Sequence, residues 1–347
     1  QVFRGAGSTH ASQKSFNNHL GVPLTLARMP ADTKRAVFEI GMSRPGEIAP
    51  LSQMIAPKGA VITKIAPAHL EGLGSIEAVA DEKGRIFSGL GPQGLAILPG
   101  DDALYDRLRA AALGTVPATH IFTFGRSQSA AARVLDYQSD GNRSRIHLEI
   151  LGVEVRLTLE VSGEHWADNA AAALLAAHVI GGLDIKRAAD ALDGFRAPDG
   201  RGGAERLCLP GGGAAVLVDD SYNANPESMR AALAALRDRP AKRRLVALGD
   251  MGELGPDAAD YHQALAEPLA AAKVDKAFLS GLLMGALYEA LPARLAALYQ
   301  TNSKALIEPL KATLQDGDVL LVKGSNASGM MDICRELRAW AKGAALI

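Results

Sequence analysis

Cysteine is scarce in this 347-residue chain, and neither sign of charge prevails. Cys208 and Cys334 are too few and too far apart for a disulfide framework or a metal knuckle, which is typical of a reducing compartment. With 37 basic and 38 acidic residues, the net charge of −1 provides no electrostatic reason to bind nucleic acid or an anionic membrane. No hydrophobic run approaches the length of a membrane span, and the amino end lacks a charged-then-apolar leader, which predicts a cytoplasmic location.

The chain also lacks a Walker A sequence and a G-x-G-x-x-G fingerprint. It has enough apolar residues, 48%, to form two medium-sized domains with proper cores. Composition and periodicity reset in residues 194–203, which are rich in Gly, Pro and Arg, so we expect a domain boundary there. Beyond it, short apolar runs alternate with helical patterns, which predicts an α/β fold with a parallel sheet covered on both faces. We therefore expect a soluble enzyme of two α/β domains, residues 1–202 and 203–347.

The most informative stretch is residues 216–229, where three apolar residues are followed by two acids, a polar turn and a helix. Asp219 and Asp220 come at the carboxyl end of the predicted strand, the edge of an open α/β sheet at which ligands bind. They suit a ribose hydroxyl or a metal, and Asn223 and Asn225 are placed for amide contacts. Because Asp and Asn also favour turns and helix caps, a purely structural role is the alternative. The concentration of such residues in one short stretch favours a binding site.

Three further residues stand out in the first half of the chain. Residues 36–40 fit a short apolar strand interrupted by Glu39, and a carboxylate in a buried strand is costly unless it is paired or holds a metal. His69 follows a second predicted strand, residues 60–65, where ligands gather, although a surface-loop histidine fits equally well. Lys83 lies on the next predicted helix, where a solvated lysine is the ordinary expectation.

Six sequence motifs follow one another in order and together cover nearly the whole chain. They are Phe16-Asn-Asn-His-Leu-Gly-Val-Pro-Leu-Thr25, Phe38-Glu-Ile-Gly-Met42 with Pro45-Gly-Glu-Ile48, Ala68-His-Leu-Glu-Gly72, Asp219-Asp-Ser-Tyr-Asn-Ala-Asn-Pro226, Gly249-Asp-Met-Gly-Glu-Leu254 and Lys323-Gly-Ser325. The sequence resembles the Mur ligases, above all the member that joins D-alanyl-D-alanine to UDP-N-acetylmuramoyl-tripeptide in peptidoglycan precursor synthesis. The run from Tyr222 to Pro226, with Asn17 and Asn18, favours this member over another amide ligase of the superfamily, of the folylpolyglutamate or cyanophycin type.

The resemblance implies ATP-dependent ligation of a carboxylate to an amine through an acyl phosphate, with Mg²⁺ and basic groups neutralising charge. It implies that the first domain is the remainder of a central ATP-binding domain and that the second is Rossmann-like. The implied partners are the UDP-linked tripeptide and D-alanyl-D-alanine, with no nucleic acid and no membrane insertion. We expect a monomer that serves cell-wall biogenesis, cell shape and cell division.

The resemblance also implies roles for individual residues. Three match metal-binding and catalytic positions: Glu39, His69 and Lys83, the last as a carbamate whose oxygens suit Mg²⁺. Asn169 and Arg201 match ATP contacts of the family, and Asp220 matches its ribose-binding acid. Asn223 and Asn225 complete the predicted cofactor site. The residues expected to face the nucleotide-sugar substrate are Asn17 and Asn18. Those expected to face the dipeptide or the transferred phosphoryl group are Lys323 and Ser325.

Four positions depart from the family pattern. Ser43 and Arg44 stand where an Asn-His pair is usual, Pro99 replaces an Asn, and Arg85 replaces an acid two positions after Lys83. Arg85 adds a cation where the family has an anion, which argues against a second magnesium site. The family's glycine-rich P-loop and its uridine-diphosphate-binding domain are expected before residue 1. The alternative is therefore a truncated or degenerate homologue that binds nucleotide or a partner without catalysis.

Overall fold

The computed structural model describes residues 1–12, 15–295 and 297–344, which divide into two units. The first unit comprises Gln1–Gln138, Arg145–Leu159 and His165–Phe195, and the second comprises Ser139–Ser144, Glu160–Glu164 and Arg196–Ile347. Both units combine helices with sheets in which parallel pairing predominates, which confirms the predicted α/β class. Across these ranges, no helix combines the length and the apolar character that crossing a bilayer requires.

The elements of the first unit come first in the chain. Its strands are β1 (Thr9–Ala11), β2 (Arg35–Val37), β3 (Gly59–Val61), β4 (Leu95–Pro99), β5 (Ile121–Gly125), β6 (Ala132–Ser139), β7 (Ser144–Ile150) and β8 (Val153–Leu159). Its helices are α1 (Gly21–Ala27), α2 (Ile48–Ile55), α3 (Leu70–Leu73), α4 (Ile76–Gly84), α5 (Tyr105–Leu113), α6 (His165–Val179) and α7 (Ile185–Leu192). Strands β3 to β8 form one sheet in sequence order, with parallel pairing from β3 through β6, and β1 and β2 form a separate parallel pair.

One face of this larger sheet packs against α4 and α5. Ala96 and Leu98 of β4 share a buried cluster with Val79 of α4 and Leu108 of α5, all of which are excluded from water. The two residues of β4 lie two positions apart and therefore point to the same face. This packing positions the carboxyl end of β3, from which the loop that carries His69 departs.

The second unit is built around a six-stranded sheet. Its strands are β9 (Gly203–Cys208), β10 (Ala214–Asp220), β11 (Arg243–Gly249), β12 (Lys276–Ser280), β13 (Leu298–Gln300) and β14 (Asp318–Lys323). Its helices are α8 (Pro226–Arg237), α9 (Ala258–Gln263), α10 (Ala266–Ala271), α11 (Met284–Ala290), α12 (Ile307–Thr313) and α13 (Met330–Ala344). The strand order is β13-β12-β11-β14-β10-β9, and every pair is parallel except β10 with β9.

Successive residues of the central strands are buried on opposite faces of this sheet. In β11, Val246 and Leu248 belong to one apolar cluster, and Leu245 and Ala247 belong to another. A strand that is buried on both sides is uniformly apolar, as expected for a parallel sheet with helices on each face. The prediction of a doubly covered sheet is confirmed.

Some predicted elements differ from those in the structure. The sequence predicts one helix over residues 75–90 and one over residues 258–272. The first ends at Gly84 and continues as a 3-10 turn, Arg85–Gly89, and the second is divided into two short helices, α9 and α10. No strand was predicted at β1, β6, β9 or β13. In β9 only Leu207 is fully buried, so its residues lack the apolar run that marks a central strand.

Candidate functional site

The carboxyl ends of β10 and β14 bring three of the predicted site residues together. Asp220 and Lys323 are register partners in this parallel pair. Lys323 donates from Nζ to Oδ2 of Asp220 over 2.7 Å and to the carbonyl oxygen of Asn223 over 3.0 Å. The side chain of Lys323 is 3% exposed, whereas that of Asp220 is 20% exposed. The acid therefore lies at the accessible side of the ion pair.

Arg201 lies beside this pair, on a loop that is fastened to the end of β10. Tyr222 donates its backbone N–H to the carbonyl of Gly200 over 3.0 Å, and Gly202 donates to the carbonyl of Asp219 over 2.8 Å. The guanidinium of Arg201 lies 4.1 Å from the centre of the Tyr222 ring, which is cation–π geometry. Burial raises the pKa of Asp220, while the charges of Lys323 and then Arg201 act in the opposite direction.

Asp219 has a different environment from its neighbour. It is 4% exposed, and its carboxylate accepts from Nη2 of Arg338 over 2.7 Å and from the hydroxyl of Ser221 over 2.5 Å. Burial alone would raise the pKa of Asp219, but the hydrogen bonds from Ser221 and Arg338 outweigh it and hold the pKa below its ordinary value. The sequence predicts that both acids serve a ligand, whereas in this structure the Asp219 carboxylate joins β10 to α13.

The two asparagines of the turn make local hydrogen bonds. Asn225 is the N-cap of α8: its side chain accepts from the N–H of Ser228 over 2.8 Å, and the Ser228 hydroxyl accepts from the N–H of Asn225 over 3.0 Å. This reciprocal pair satisfies free amides at the helix start, as the structural alternative proposed. Asn223 accepts from the N–H of Ala224 over 2.8 Å. Its carbonyl, which accepts from Lys323, ties the turn to β14.

Ser325 lies just beyond β14 and is 9% exposed. Its N–H donates to the carbonyl of Asp250 over 2.9 Å, and its own carbonyl accepts from the hydroxyl of Ser328 over 2.6 Å. These bonds connect the loops after β11 and β14, which carry two of the motifs identified in the sequence.

In the first unit, Asn17 and Glu39 are hydrogen bonded. Asn17 donates from Nδ2 to Oε1 of Glu39 over 2.9 Å, and Gly41 donates its N–H to the carbonyl of Asn17 over 2.8 Å. Glu39 is exposed and follows the end of β2, so the prediction of a carboxylate inside a buried strand is wrong. The reason is that β2 has only three residues and pairs with β1, and Val37 is itself 46% exposed. Asn18 accepts from the N–H groups of Leu20 and Gly21 at the start of α1.

His69 and Lys83 both belong to the region that follows β3. His69 directly precedes α3 in a left-handed conformation, with φ of 60°. Lys83 extends from α4 and donates from Nζ to the carbonyl oxygen of Lys64 over 2.7 Å. Gly72 of α3 packs so closely on the backbone of Ser43 that an added Cβ would overlap the Ser43 carbonyl oxygen. Asn169 lies on α6 and is half-buried.

The structure explains how Arg85 is accommodated. Its Nε lies 3.1 Å from Oε2 of Glu82, a carboxylate that is 2% exposed and also accepts from the N–H groups of Gly46 and Ile48 at 2.9 Å each. The charge that Arg85 adds is therefore balanced by a neighbouring acid. The departure at Ser43 and Arg44 is also satisfied locally, because Glu47 accepts hydrogen bonds from the N–H groups of both residues, and these bonds lower the pKa of Glu47.

The chemistry of the predicted metal ligands can be compared with what Mg²⁺ requires. Among the described residues, no group of three or more His, Cys, Asp or Glu side chains is placed to hold a metal. Glu39 supplies one carboxylate, and Oε1 of that carboxylate accepts from Asn17. A lysine ammonium cannot ligate a cation, but a carbamate on Lys83 would add the oxygen ligands that Mg²⁺ prefers. The side chains of Glu39, His69 and Lys83 therefore have a chemistry that suits Mg²⁺ only if Lys83 is carbamylated.

Two parts of the chain match domains of a known protein family. Residues 1–177 match the Mur ligase middle domain, and residues 205–326 match the Mur ligase glutamate ligase domain. The chain belongs to the Mur ligase family. The expectation drawn from the six ordered motifs is confirmed, and both matches place a Mur ligase domain on a unit that carries predicted site residues.

Individual Mur ligases are similar over nearly the whole chain. A protein of Rickettsia prowazekii (strain Madrid E) is 31% identical over 91% of this chain and 69% of its own length, and one of Escherichia coli (strain K12) is 34% identical over 97% and 72%. Both are named UDP-N-acetylmuramoyl-tripeptide--D-alanyl-D-alanine ligase. A crystal structure of MurF from Acinetobacter baumannii superposes with a TM-score of 0.86 at 27% identity, covering 97% of this chain and 72% of that one.

Sequence reasoning on this Mur ligase missed the roles of Tyr222 and Arg338. Tyr222 stands out in the sequence only as part of a motif, although an aromatic residue that follows an arginine-containing loop can make a cation–π contact. Arg338 lies more than a hundred residues after Asp219 on an amphipathic helix. No local pattern distinguishes it from other helical arginines.

Proposed function

We propose that this chain is the ligase that joins D-alanyl-D-alanine to UDP-N-acetylmuramoyl-tripeptide with conversion of ATP to ADP and phosphate. The observation that carries the proposal is that relatives with this name, 31% and 34% identical, align with 91% and 97% of the chain. The reaction would be cytoplasmic and would supply peptidoglycan precursor for the cell wall, and hence for cell shape and division.

In the proposed reaction, an oxygen of the tripeptide's terminal carboxylate attacks the γ-phosphorus of ATP, and ADP leaves. The amine of D-alanyl-D-alanine then attacks the acyl carbon, a proton is lost from nitrogen, and inorganic phosphate leaves. Enzymes promote such steps by positioning the reactants and stabilising charge. Mg²⁺, when bound, would neutralise phosphate charge.

We assign residues of each unit to parts of this reaction. In the first unit, Glu39, His69 and carbamylated Lys83 would hold Mg²⁺, Asn169 would contact ATP, and the loop containing Asn17 and Asn18 would face the nucleotide-sugar substrate. In the second unit, Asp220 would accept hydrogen bonds from the ribose. Its carboxylate is 20% exposed and, when ionised, acts only as a hydrogen-bond acceptor, which supports this role.

Arg201, on the loop beside Asp220, would contact the nucleotide. Asn223 and Asn225 would shape the same site through the turn that they stabilise, and Ser325 would face the dipeptide.

Phosphate release by the full-length protein would test the proposal. Phosphate release should require ATP, the UDP-linked tripeptide and D-alanyl-D-alanine together. Mass spectrometry should detect a product whose mass equals that of the UDP-linked tripeptide plus the dipeptide, minus one water. L-alanyl-L-alanine serves as a matched stereochemical control. Formation of no peptide product, or an equal yield with the L,L-dipeptide, would contradict the assignment.

A further inference from the structure

The ion pair between Asp220 and Lys323 has an asymmetric exposure. Lys323 retains 3% of its side-chain exposure, and Asp220 retains 20%. A ligand that approaches the end of the sheet therefore meets the carboxylate, with the ammonium behind it. This arrangement does not suit the role that the sequence predicted for Lys323, which requires its ammonium to meet the dipeptide or a phosphoryl group directly.

Both hydrogen bonds of Lys323 Nζ go to groups that surround the strand end. One goes to Oδ2 of Asp220 and the other to the carbonyl of Asn223, three residues further along the turn. A buried ammonium requires an anion and hydrogen-bond acceptors, and these two contacts provide both. Because the donor holds only one oxygen of the carboxylate, Lys323 fixes the orientation in which the other oxygen is presented.

We propose that Lys323 is a positioning residue, which orients the Asp220 carboxylate towards the ribose hydroxyls of the nucleotide. This inference rests on the proposed function, in which Asp220 binds the ribose. A carboxylate accepts hydrogen bonds from hydroxyl donors and repels phosphate, so the nucleoside part of the ligand matches it and the phosphates do not. Lys323 thus determines ribose recognition without contacting the nucleotide.

The charge of Lys323 has a second effect on the same carboxylate. Burial raises the pKa of Asp220, and Lys323 is the strongest influence that lowers it. Without the ammonium, Asp220 would shift towards its protonated form and lose acceptor capacity. Removal of Lys323 would therefore affect both the orientation and the ionisation of the Asp220 carboxylate.

The test compares the binding of ADP with that of 2′-deoxyADP and 3′-deoxyADP by calorimetry, using the full-length protein. The unaltered protein should bind ADP about tenfold more tightly than at least one deoxy analogue, because that analogue lacks the hydroxyl that would donate to the Asp220 carboxylate. Lys323→Met and Asp220→Asn should each reduce this ratio to near one, and the double variant should reduce it no further. Lys276→Met is the matched control, since Lys276 lies in the same sheet at the start of β12.

A ratio that stays at the unaltered value in Lys323→Met, but falls in Asp220→Asn, would overturn the positioning role and leave the proposed function intact. Absence of ADP binding by the unaltered protein would instead contradict the proposed function and the inference together. If Lys323→Met does not fold, Lys323→Arg carries the same comparison, because it keeps the charge but displaces the donor. An unchanged ratio in that variant, with a changed Km for D-alanyl-D-alanine, would return Lys323 to the dipeptide site.

Discussion

Asn17 donates a 2.9 Å hydrogen bond to one carboxylate oxygen of Glu39, so a residue predicted to face the nucleotide-sugar substrate also contacts a predicted metal ligand and fixes one of its oxygens. Outer partners of metal ligands commonly change metal affinity by about 10- to 100-fold when they are removed. We therefore expect Asn17→Ala to weaken binding of Mn²⁺, used as a probe for Mg²⁺, by about tenfold. Asn326→Ala, at an exposed asparagine of the second unit, is the control. Equal Mn²⁺ affinities in the two variants would show that Asn17 does not influence metal binding.

Lys83 provides a second test of the metal assignment. If a carbamate on its amine supplies oxygen ligands, Lys83→Ala should abolish turnover, and added acetate should restore part of it by replacing the lost carboxylate-like group. Lys58→Ala, at an exposed lysine just before β3, should keep full activity. Full activity of Lys83→Ala without acetate would refute the carbamate role.

The contact of Gly72 with Ser43 predicts a steric effect. An added Cβ would overlap a backbone carbonyl oxygen, which cannot move away as a flexible side chain can. Gly72→Ala should therefore lower the free energy of unfolding of the first unit by about 1–3 kcal/mol, the usual cost of overpacking. Gly91→Ala, where an added Cβ meets nothing within 4 Å, should stay within about 0.5 kcal/mol of the unaltered protein in the same urea titration. Equal losses in the two variants would show that the overlap is not the cause.

The fully buried His262 predicts a dependence of stability on pH. Its Nδ1 lies 2.6 Å from the carbonyl of Ala258, and its Nε2 accepts from the N–H of Met251 over 2.9 Å. Only the neutral ring can both donate and accept in this way. Burial lowers the pKa of His262, against the hydrogen bond to Ala258 and the charge of Asp250, whose Oδ1 is 4.0 Å away.

The unfolded chain therefore binds a proton at His262 at a pH where the folded chain does not. Below the ordinary histidine pKa of about 6.5, stability should fall by at most about 1.4 kcal/mol per pH unit, until the folded-state pKa is reached. His262→Gln should remove this slope in urea titrations of the second unit between pH 7.5 and 5.5. His147→Gln, at a histidine paired with exposed Glu154, should retain it. If the free energy of unfolding of His262→Gln still fell with pH at the same slope, another group would be responsible for the pH dependence.

Arg338 should stabilise the second unit through Asp219. Arg338→Met would leave the buried Asp219 carboxylate without its cation, and because Arg338 is itself one-third exposed, we expect a loss of about 2 kcal/mol rather than the larger cost of a fully buried pair. Adding Asp219→Asn should recover part of the loss. Arg335→Met, on the same helix in an exposed pair with Asp332, should have little effect on the unfolding midpoint. If the double variant lost more stability than the two single variants lose in total, the pairing of Arg338 with Asp219 would be contradicted.

The sequence predicted best those elements whose burial is uniform. Strand β11 is apolar along its centre and buried on both faces, and the apolar run at residues 245–248 predicts its position to within two residues at each end. The edge strand β9 carries few buried residues, and β13 has only three, so neither produces a periodic signal. Glu39 was predicted to be buried because its neighbours are apolar, but apolar residues beside a short strand pair can remain exposed.

The sequence predicted which residue types lie at the site, but it did not predict which of them contact one another. Asp220 was identified because acids after a strand mark a ligand-binding edge. Its partner Lys323 was identified only through a motif, since the pairing depends on which strands become neighbours. That order follows from the packing of the complete unit.

The adjacency of β10 and β14 also constrains how the second unit folds. Asp220 and Lys323 are separated by 103 positions in the chain, and β11, β12 and β13 lie between them in sequence. Contacts of such high sequence separation require closing a long loop, which slows folding and makes the contact depend on distant parts of the chain. While the chain is being synthesised, the turn after β10 emerges long before β14 and cannot yet hold its lysine partner. The proposed ribose contact is therefore completed only when nearly the whole unit has been made, so that an unfinished chain would lack its contribution to nucleotide affinity.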